Sequence, residues 1–419
     1  MDIFWEVFLL FLYRIFYLIC FIPTLFWNYC CKKKRENIFH RLFYRPKEIL
    51  SGPILWVHAV SVGETAAIVP LLQKFQDLHP DWKIVISNIT QTGHDTAKRL
   101  IPWAAAHFFL PFEFRHSMRR VFKRICPSLV ILVEGDLWPL FLDEAKRSGA
   151  RVVLVNGKIS EKSFERLTWF PKIGRWLYSY VDCFCVQTEL FAKRFAALGA
   201  TDITVTGNIK ADMCLSVLSS QARDDWRSKL GLNEGDQLIV IGSTHPSEEV
   251  ALTKALLPLL SVNSRIKLLI APRHPERFVQ VYSDLSSLVS DVQLYSRYSS
   301  PDRWNIMVFD ALGHLTTLYQ LATLSIVAGS FVEEVGGHNI LEPALFAVPV
   351  IVGPFMHGQK TLFDSAKQCN AVISVTADAL AETVQRFLEN EADRRALSKT
   401  THEWAVSLQG ATEKTLQKV

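Results

Sequence analysis

Residues 128–139 read Ser-Leu-Val-Ile-Leu-Val-Glu-Gly-Asp-Leu-Trp-Pro, and this stretch decides the fold. Ser128 to Val133 is a short, continuous apolar run. It lacks the polar alternation of a half-exposed strand, so it fits a strand buried on both faces of a parallel sheet. The run stops on two carboxylates that bracket a glycine. Asp136 has a structural reason to be there, as a helix N-cap. Glu134 has none, and a buried carboxylate needs a substrate or a cation to meet.

Outward from this stretch the same pattern repeats. Ile54 to His58, Lys83 to Ser87 and Arg151 to Val155 are strand-like runs. Thr65 to Leu78 has helical apolar spacing, and a further helix is expected near His94 to Leu100. Strand and helix alternation predicts an α/β, doubly wound architecture. Between residues 212 and 236 the pattern loosens: Ser219 to Trp226 and Gly231 to Asp236 are polar, with turn residues. A second alternating series follows, through Leu238 to Gly242, Lys267 to Ala271, Ile306 to Phe309, Leu324 to Ala328 and Val350 to Val352. Two Rossmann-like halves therefore meet near residue 220, with no sequence repeat between them. Ligands are expected in a cleft at the carboxyl ends of the strands. Asp393 to Thr412 reads as a helix able to dock back across both halves.

The chain has 419 residues, enough for two or three domains. Its net charge of +5 suits an anionic partner such as a phospholipid surface or a phosphorylated substrate. No signature of nucleic-acid binding is present. The cysteines are scattered; neither Cys30 with Cys31 nor Cys183 with Cys185 has zinc-ligand spacing with a second pair, and the usage suits reduced thiols. Residues 3–31 are apolar except for Glu6 and Arg14, and Lys32, Lys33, Lys34 and Arg35 follow at once. The length is sufficient to cross a bilayer, and the basic cluster predicts that the rest of the chain stays cytoplasmic. A helix lying in the interface is the alternative. The domain reading is thus 1–31 anchor, 32–220 first Rossmann-like domain and 221–419 second, with the last helix able to reach the first.

Five constellations follow strand-like runs. In residues 58–64, His-Ala-Val-Ser-Val-Gly-Glu, Gly63 is expected to permit a tight turn, and Glu64 falls in the first turn of a helix. Glu64 is either a carboxylate favoured by the helix dipole or a general base. Glu134 and Asp136 form the second group. Lys210, in Gly207-Asn208-Ile209-Lys210-Ala211-Asp212, is either a surface lysine or one aimed at the cleft. Arg273, in Pro272 to Arg277, stands where a guanidinium can grip a phosphate, with His274 orienting or capping. The fifth is Gly329 to Phe331 followed by Gly336 to Pro343. Paired glycines before a helix offer N–H groups to an anion, and Asn339 and Glu342 share a face on which a carboxylate can bind ribose hydroxyls. The three-glycine dinucleotide fingerprint is absent, which argues against NAD.

Taken together, HAVSVGE (58–64), EGDLWP (134–139), GNIKAD (207–212), STHPSEE (243–249), PRHPERF (272–278) and GGHNILEP (336–343) resemble the Kdo transferase family of lipid A glycosylation (Kdo, 3-deoxy-D-manno-octulosonic acid). The resemblance runs from the N-terminal segment to about residue 360. It implies a GT-B fold behind an N-terminal membrane anchor, at the cytoplasmic side of the cell inner membrane. It also implies a CMP-Kdo donor, a lipid A precursor (lipid IVA) as acceptor, and inner-membrane phospholipids as partners. The family's general base falls on Glu64, and its transition-state stabilisers on Glu134 and Lys210. Its CMP contacts fall on Pro272, Arg273, Gly313, His314, Leu315, Asn339, Ile340, Leu341 and Glu342. Gly336 and Gly337 are candidate phosphate contacts. Position 314 is His where many relatives carry Glu, so the backbone of Gly313 is the contact that carries over. The implied reaction inverts the anomeric carbon and adds one Kdo or more. No Asp-x-Asp metal trap occurs, so neither metal nor cofactor is expected. Other readings are a UDP-sugar-dependent lipid glycosyltransferase, a nucleotide-sugar 2-epimerase of the same fold, and a non-catalytic membrane scaffold.

Overall fold

Every strand-like run named above becomes a strand in the computed structural model, which describes residues 3–30, 41–42, 51–213, 216–299 and 304–419. The chain divides into two compact units, one of Met1–Cys214 with Leu408–Val419, the other of Leu215–Ser407.

The first unit is built on seven parallel strands: β1 (Ile54–His58), β2 (Lys83–Asn88), β3 (Ala106–Phe109), β4 (Leu129–Val133), β5 (Arg151–Gly157), β6 (Cys183–Val186) and β7 (Ile203–Val205), in the order β3-β2-β1-β4-β5-β6-β7. All five residues of β1 and of β4 are buried. Successive side chains go to opposite faces, so Leu55 and Val57 join one core with Ile68, Leu71 and Phe75, while Ile54 and Trp56 join the other. Trp56 packs against the rings of Phe122 (4.6 Å) and Phe141 (4.9 Å). Truncating such a ring to Ala costs about 3–5 kcal/mol. Cys183 and Cys185 are free, buried thiols of β6.

The second unit repeats the plan. Its strands are β8 (Gln237–Thr244), β9 (Ile266–Pro272), β10 (Val292–Leu294), β11 (Ile306–Val308), β12 (Leu324–Val327), β13 (Val350–Val352) and β14 (Ile373–Ser374), in the order β10-β11-β9-β8-β12-β13-β14, all parallel. In each sheet the order reverses beside the first strand, which is the topological switch point where α/β sheets place their ligands.

Three expectations need correction. Ser219 to Trp226 is not a loop but part of the helix Ser220–Lys229, capped by the Ser219 hydroxyl, which accepts from the Ala222 N–H at 3.1 Å. Its polar composition reflects exposure, since it buries no residue. The C-terminal helix is broken: Glu391–Ser407 ends in the second unit, and Ala411–Leu416 begins after Gly410, whose φ of +95° suits only glycine without strain. The last piece docks on the first unit, where Asp212 accepts from Gly410 N–H (2.7 Å) and Arg151 donates to the carbonyls of Lys418 and Val419. Gly63 is helical rather than a turn residue, and a Cβ there would meet nothing within 4 Å.

The N-terminal helix Ile3–Cys30 packs on the first unit through Leu10, Tyr13, Tyr17 and Phe21. Tyr13 donates to the buried carboxylate of Glu113, whose other oxygen caps Leu140 and Phe141. Val7, Phe11, Phe16, Leu18 and Ile19 are exposed. Among the described residues no helix is long and apolar enough to cross a membrane. Cys31 and the basic run Lys32 to Arg35 lie outside the described residues.

Candidate functional site

Polar side chains gather at the carboxyl ends of the strands in each unit. In the first, Ser61 caps the helix Val62–Leu78, and Glu64 sits in its first turn, about nine-tenths buried. One Glu64 oxygen accepts from the Val60 N–H (2.7 Å), the other from the Ser61 hydroxyl (2.9 Å). Burial pushes the Glu64 carboxyl above its ordinary range. The Val60 N–H works against that rise, while the neighbouring charges of Glu134 and Asp136 add to it. Glu64 thus occupies the first helical turn, where the helix dipole favours a carboxylate, and burial nonetheless raises its basicity.

Glu134 directly follows β4 with a left-handed backbone, φ +68°, unusual for a residue with a side chain. Asn156 does the same at the end of the neighbouring β5, φ +58°. Such strain survives only where the surroundings enforce it. Here the Glu134 N–H bonds Val155 O, and the Lys158 N–H bonds Glu134 O. The Glu134 carboxylate then lies between two ammonium groups, Lys210 Nζ on Oε1 and Lys158 Nζ on Oε2, each at 2.6 Å. Burial alone raises this carboxyl, but the two lysines outweigh it and hold it below its usual range. Glu134 is thus ionised and paired, while Glu64 beside it has no ion-pair partner among the described residues. Asp136 stays exposed.

Lys210 is placed by its backbone. It belongs to the 3-10 turn Ile209–Asp212, where Asn208 caps its N–H (3.0 Å) and Asn156 accepts from Ile209 N–H (3.2 Å). Asp212, held by the C-terminal segment, closes the same turn. Lys158 and Asn156 were missed by the sequence reading. The available signal was an Asn-Gly-Lys directly after the strand Arg151 to Val155, the same grammar as the other motifs.

In the second unit, Arg273 is exposed just beyond β9 and its N–H bonds Thr244 O (3.1 Å). Next to it three imidazoles meet. His245 Nε2 lies 2.8 Å from His338 Nε2 with the rings stacked at 5.0 Å, and His274 stands edge-on to His245 at 5.3 Å. Glu248 accepts from the N–H groups of His245, Gly329 and Phe331, so it fastens the loop. Glu249 is paired with Arg277 through two contacts, 2.7 and 3.2 Å. Gly336 and Gly337 have positive φ, and their N–H groups bond Val332 O and Gly329 O, so in this structure both are taken up inside the loop. Asn339 Nδ2 donates to Glu342 at 3.3 Å, which puts those two on one face. Ile340 and Leu341 are buried; Pro272 ends β9. Gly313 has φ +84°, and the His314 ring packs on Trp226 (5.2 Å) just before the helix Leu315–Leu321. The structure thus unites Glu64, Glu134 and Lys210 in one cluster. Arg273 lies with His245, His274 and His338 in another, and the sequence reading had not singled out His245 or His338.

The family described as 3-deoxy-D-manno-octulosonic-acid transferase (kdotransferase) matches residues 36–213, and that described as glycosyl transferases group 1 matches 222–404. The 3-deoxy-D-manno-octulosonic acid transferase of Chlamydia trachomatis serovar A is 34% identical over 378 residues, 86% of this chain and 87% of the relative. That of Chlamydophila psittaci is 36% identical, covering 84% and 82%. That of Haemophilus influenzae is 29% identical, covering 95% and 94%. Among solved structures, UDP-GlcNAc 2-epimerase from Neisseria meningitidis aligns with TM-score 0.62 at 12% identity, over 87% of this chain and 99% of that one. A glycosyltransferase from Rickettsia africae aligns with TM-score 0.60 at 14% identity, over 87% and 96%. At such identities the structural likeness establishes the fold alone.

Proposed function

From the premise that this chain belongs to the 3-deoxy-D-manno-octulosonic acid transferase family and is a GT-B glycosyltransferase, we propose that it moves Kdo from CMP-Kdo to a hydroxyl of a lipid A precursor, lipid IVA, with inversion. The observation that carries the mechanism is the contrast between two neighbouring carboxylates, Glu134 held ionised by Lys158 and Lys210 and Glu64 raised by burial.

Glu64 takes the proton from the acceptor hydroxyl. A base is most useful when its pKa approaches the working pH, and burial moves Glu64 in that direction. The freed oxygen attacks the anomeric carbon from the face opposite the nucleotide. The bond to the phosphate oxygen breaks and its electron pair leaves with CMP. Lys210, fixed by Glu134, offsets negative charge as that bond lengthens. Glu134 does no proton chemistry, because two ammonium groups hold it ionised. Arg273 holds the phosphate, and Glu342 with Asn339 takes the ribose hydroxyls. Pro272, Gly313, His314, Leu315, Ile340 and Leu341 complete the nucleotide contacts. The step needs neither metal nor cofactor on this reading.

The acceptor is a lipid, and the exposed apolar residues of the helix Ile3–Cys30 support placing the enzyme on the cytoplasmic face of the inner membrane. Incubation with CMP-Kdo and lipid IVA, followed by mass analysis, tests the whole reading. It should yield the acceptor plus one or more Kdo units and free CMP. A product formed only from a UDP-sugar would favour the alternative lipid glycosyltransferase.

A further inference from the structure

The donor reading leaves two residues without a task, and they are the most unusual pair in the second unit. His245 and His338 are 93 residues apart in sequence, yet their Nε2 atoms lie 2.8 Å apart. Two imidazole nitrogens at that distance must share a hydrogen, one ring donating and the other accepting. The contact is built by the backbone. Gly329 has φ +70°, and a Cβ there would fall 2.6 Å from the His338 ring. Glu248 ties the His245 N–H to the N–H groups of Gly329 and Phe331, so the two loops that carry the histidines are one hydrogen-bonded body.

The charges facing the pair come from every side. His245 faces His274, Arg273 and Arg277, with Glu249 as the opposing acid, itself paired with Arg277. His338 faces His245, Arg273 and His274. Burial, then these cationic neighbours, push His245 below its ordinary value and His338 down to about 4. Both rings are therefore neutral near pH 7 with no anion present, and one shared hydrogen joins them.

The reaction supplies the anion. In CMP-Kdo the phosphate is a diester with one negative charge. When the bond to the anomeric carbon breaks, the electron pair stays on the phosphate oxygen, and the monoester carries a second charge near pH 7. A group that responds to that second charge favours the transition state over the ground state, which is what accelerates the step. We propose that His245 and His338 form a proton-accepting dyad that takes up one proton from solvent as the nucleoside monophosphate forms, balancing the charge its phosphate gains. This deepens the donor reading and rests on it. Arg273 and His274, beside the dyad, mark where the phosphate sits.

The test is calorimetric titration of the full chain with CMP at about pH 7, above the second phosphate ionisation near 6, in buffers of different ionisation enthalpy. The wild type should take up between about half a proton and one proton per CMP. His338→Gln and His245→Gln should each bring uptake close to zero and weaken CMP by about tenfold, equivalent to about 1.4 kcal/mol. CMP binding without net uptake overturns the dyad and leaves the donor reading standing. So does uptake that persists unchanged in both variants. A chain that does not bind CMP at all overturns the donor reading, and the dyad with it.

Discussion

The polar clusters of the two units solve opposite electrostatic problems. In the first, a buried carboxylate is neutralised by two lysines, and a second carboxylate a short distance away accepts from the Val60 N–H and the Ser61 hydroxyl, with no ion-pair partner among the described residues. In the second, three imidazoles and Arg273 crowd together, and the nearby acids are occupied elsewhere, Glu249 by Arg277 and Glu248 by backbone N–H groups. On the proposed reading the first cluster takes a proton from an alcohol. On the same reading the second receives a phosphate. The difference teaches that burial raises one carboxyl while two lysines, overriding the same burial, hold its neighbour below the ordinary range, whereas the second unit gathers imidazoles and a guanidinium in place of carboxylates.

The comparison breaks first at Glu64. Replacing it with Gln keeps the shape and removes the base, so kcat should fall by about 10²–10⁴-fold, with CMP affinity unchanged. Steady-state kinetics with a binding titration reads both. The two lysines on Glu134 come next. Lys210 is the more buried of the pair, with 19% of its side chain exposed against 44% for Lys158. Lys210→Ala should lower kcat by about 10²–10³-fold, the usual loss for a removed charge-stabilising group. Lys158→Ala should cost at most about fivefold, as an exposed pair contributes about 1 kcal/mol or less. Equal losses in the two would show that Lys210 serves only to hold Glu134. In the second unit, Arg273→Ala should weaken CMP by about 10- to 100-fold, since a hydrogen bond to a charged group contributes about 1.5–3 kcal/mol. Its kcat at saturating donor should change little, and the ratio of kcat to KM separates the two effects. The smallest expected effect is that of chelation: dialysis against EDTA should leave turnover unchanged.

The sequence disclosed the architecture through its long apolar runs, because strands buried on both faces cannot hide among polar residues. It concealed β3, β6, β7, β10 and β14, where Ala106-His107-Phe108-Phe109 is half-exposed at its start and the other four are short. The helix Ser220–Lys229 was illegible for a different reason. It buries nothing, so it has no apolar stripe to read, and only the Ser219 cap marks its start. Glu64, Glu134 and Lys210 stood out because each follows a strand. Lys158 also follows a strand, but its meeting with Glu134 depends on β4 and β5 lying side by side, which no local pattern announces. The His245–His338 contact is of the same kind. It requires β8 and β12 to be neighbours, and it joins two motifs that look unrelated in the chain.

The acidic limb of the pH dependence of kcat tests the role of Glu64 most directly. The raised Glu64 carboxyl predicts that turnover falls with an apparent pKa above the ordinary glutamate value of about 4.3, and that this limb disappears from the residual rate of Glu64→Gln. A limb at or below the ordinary value, or one that survives unchanged in Glu64→Gln, would contradict it.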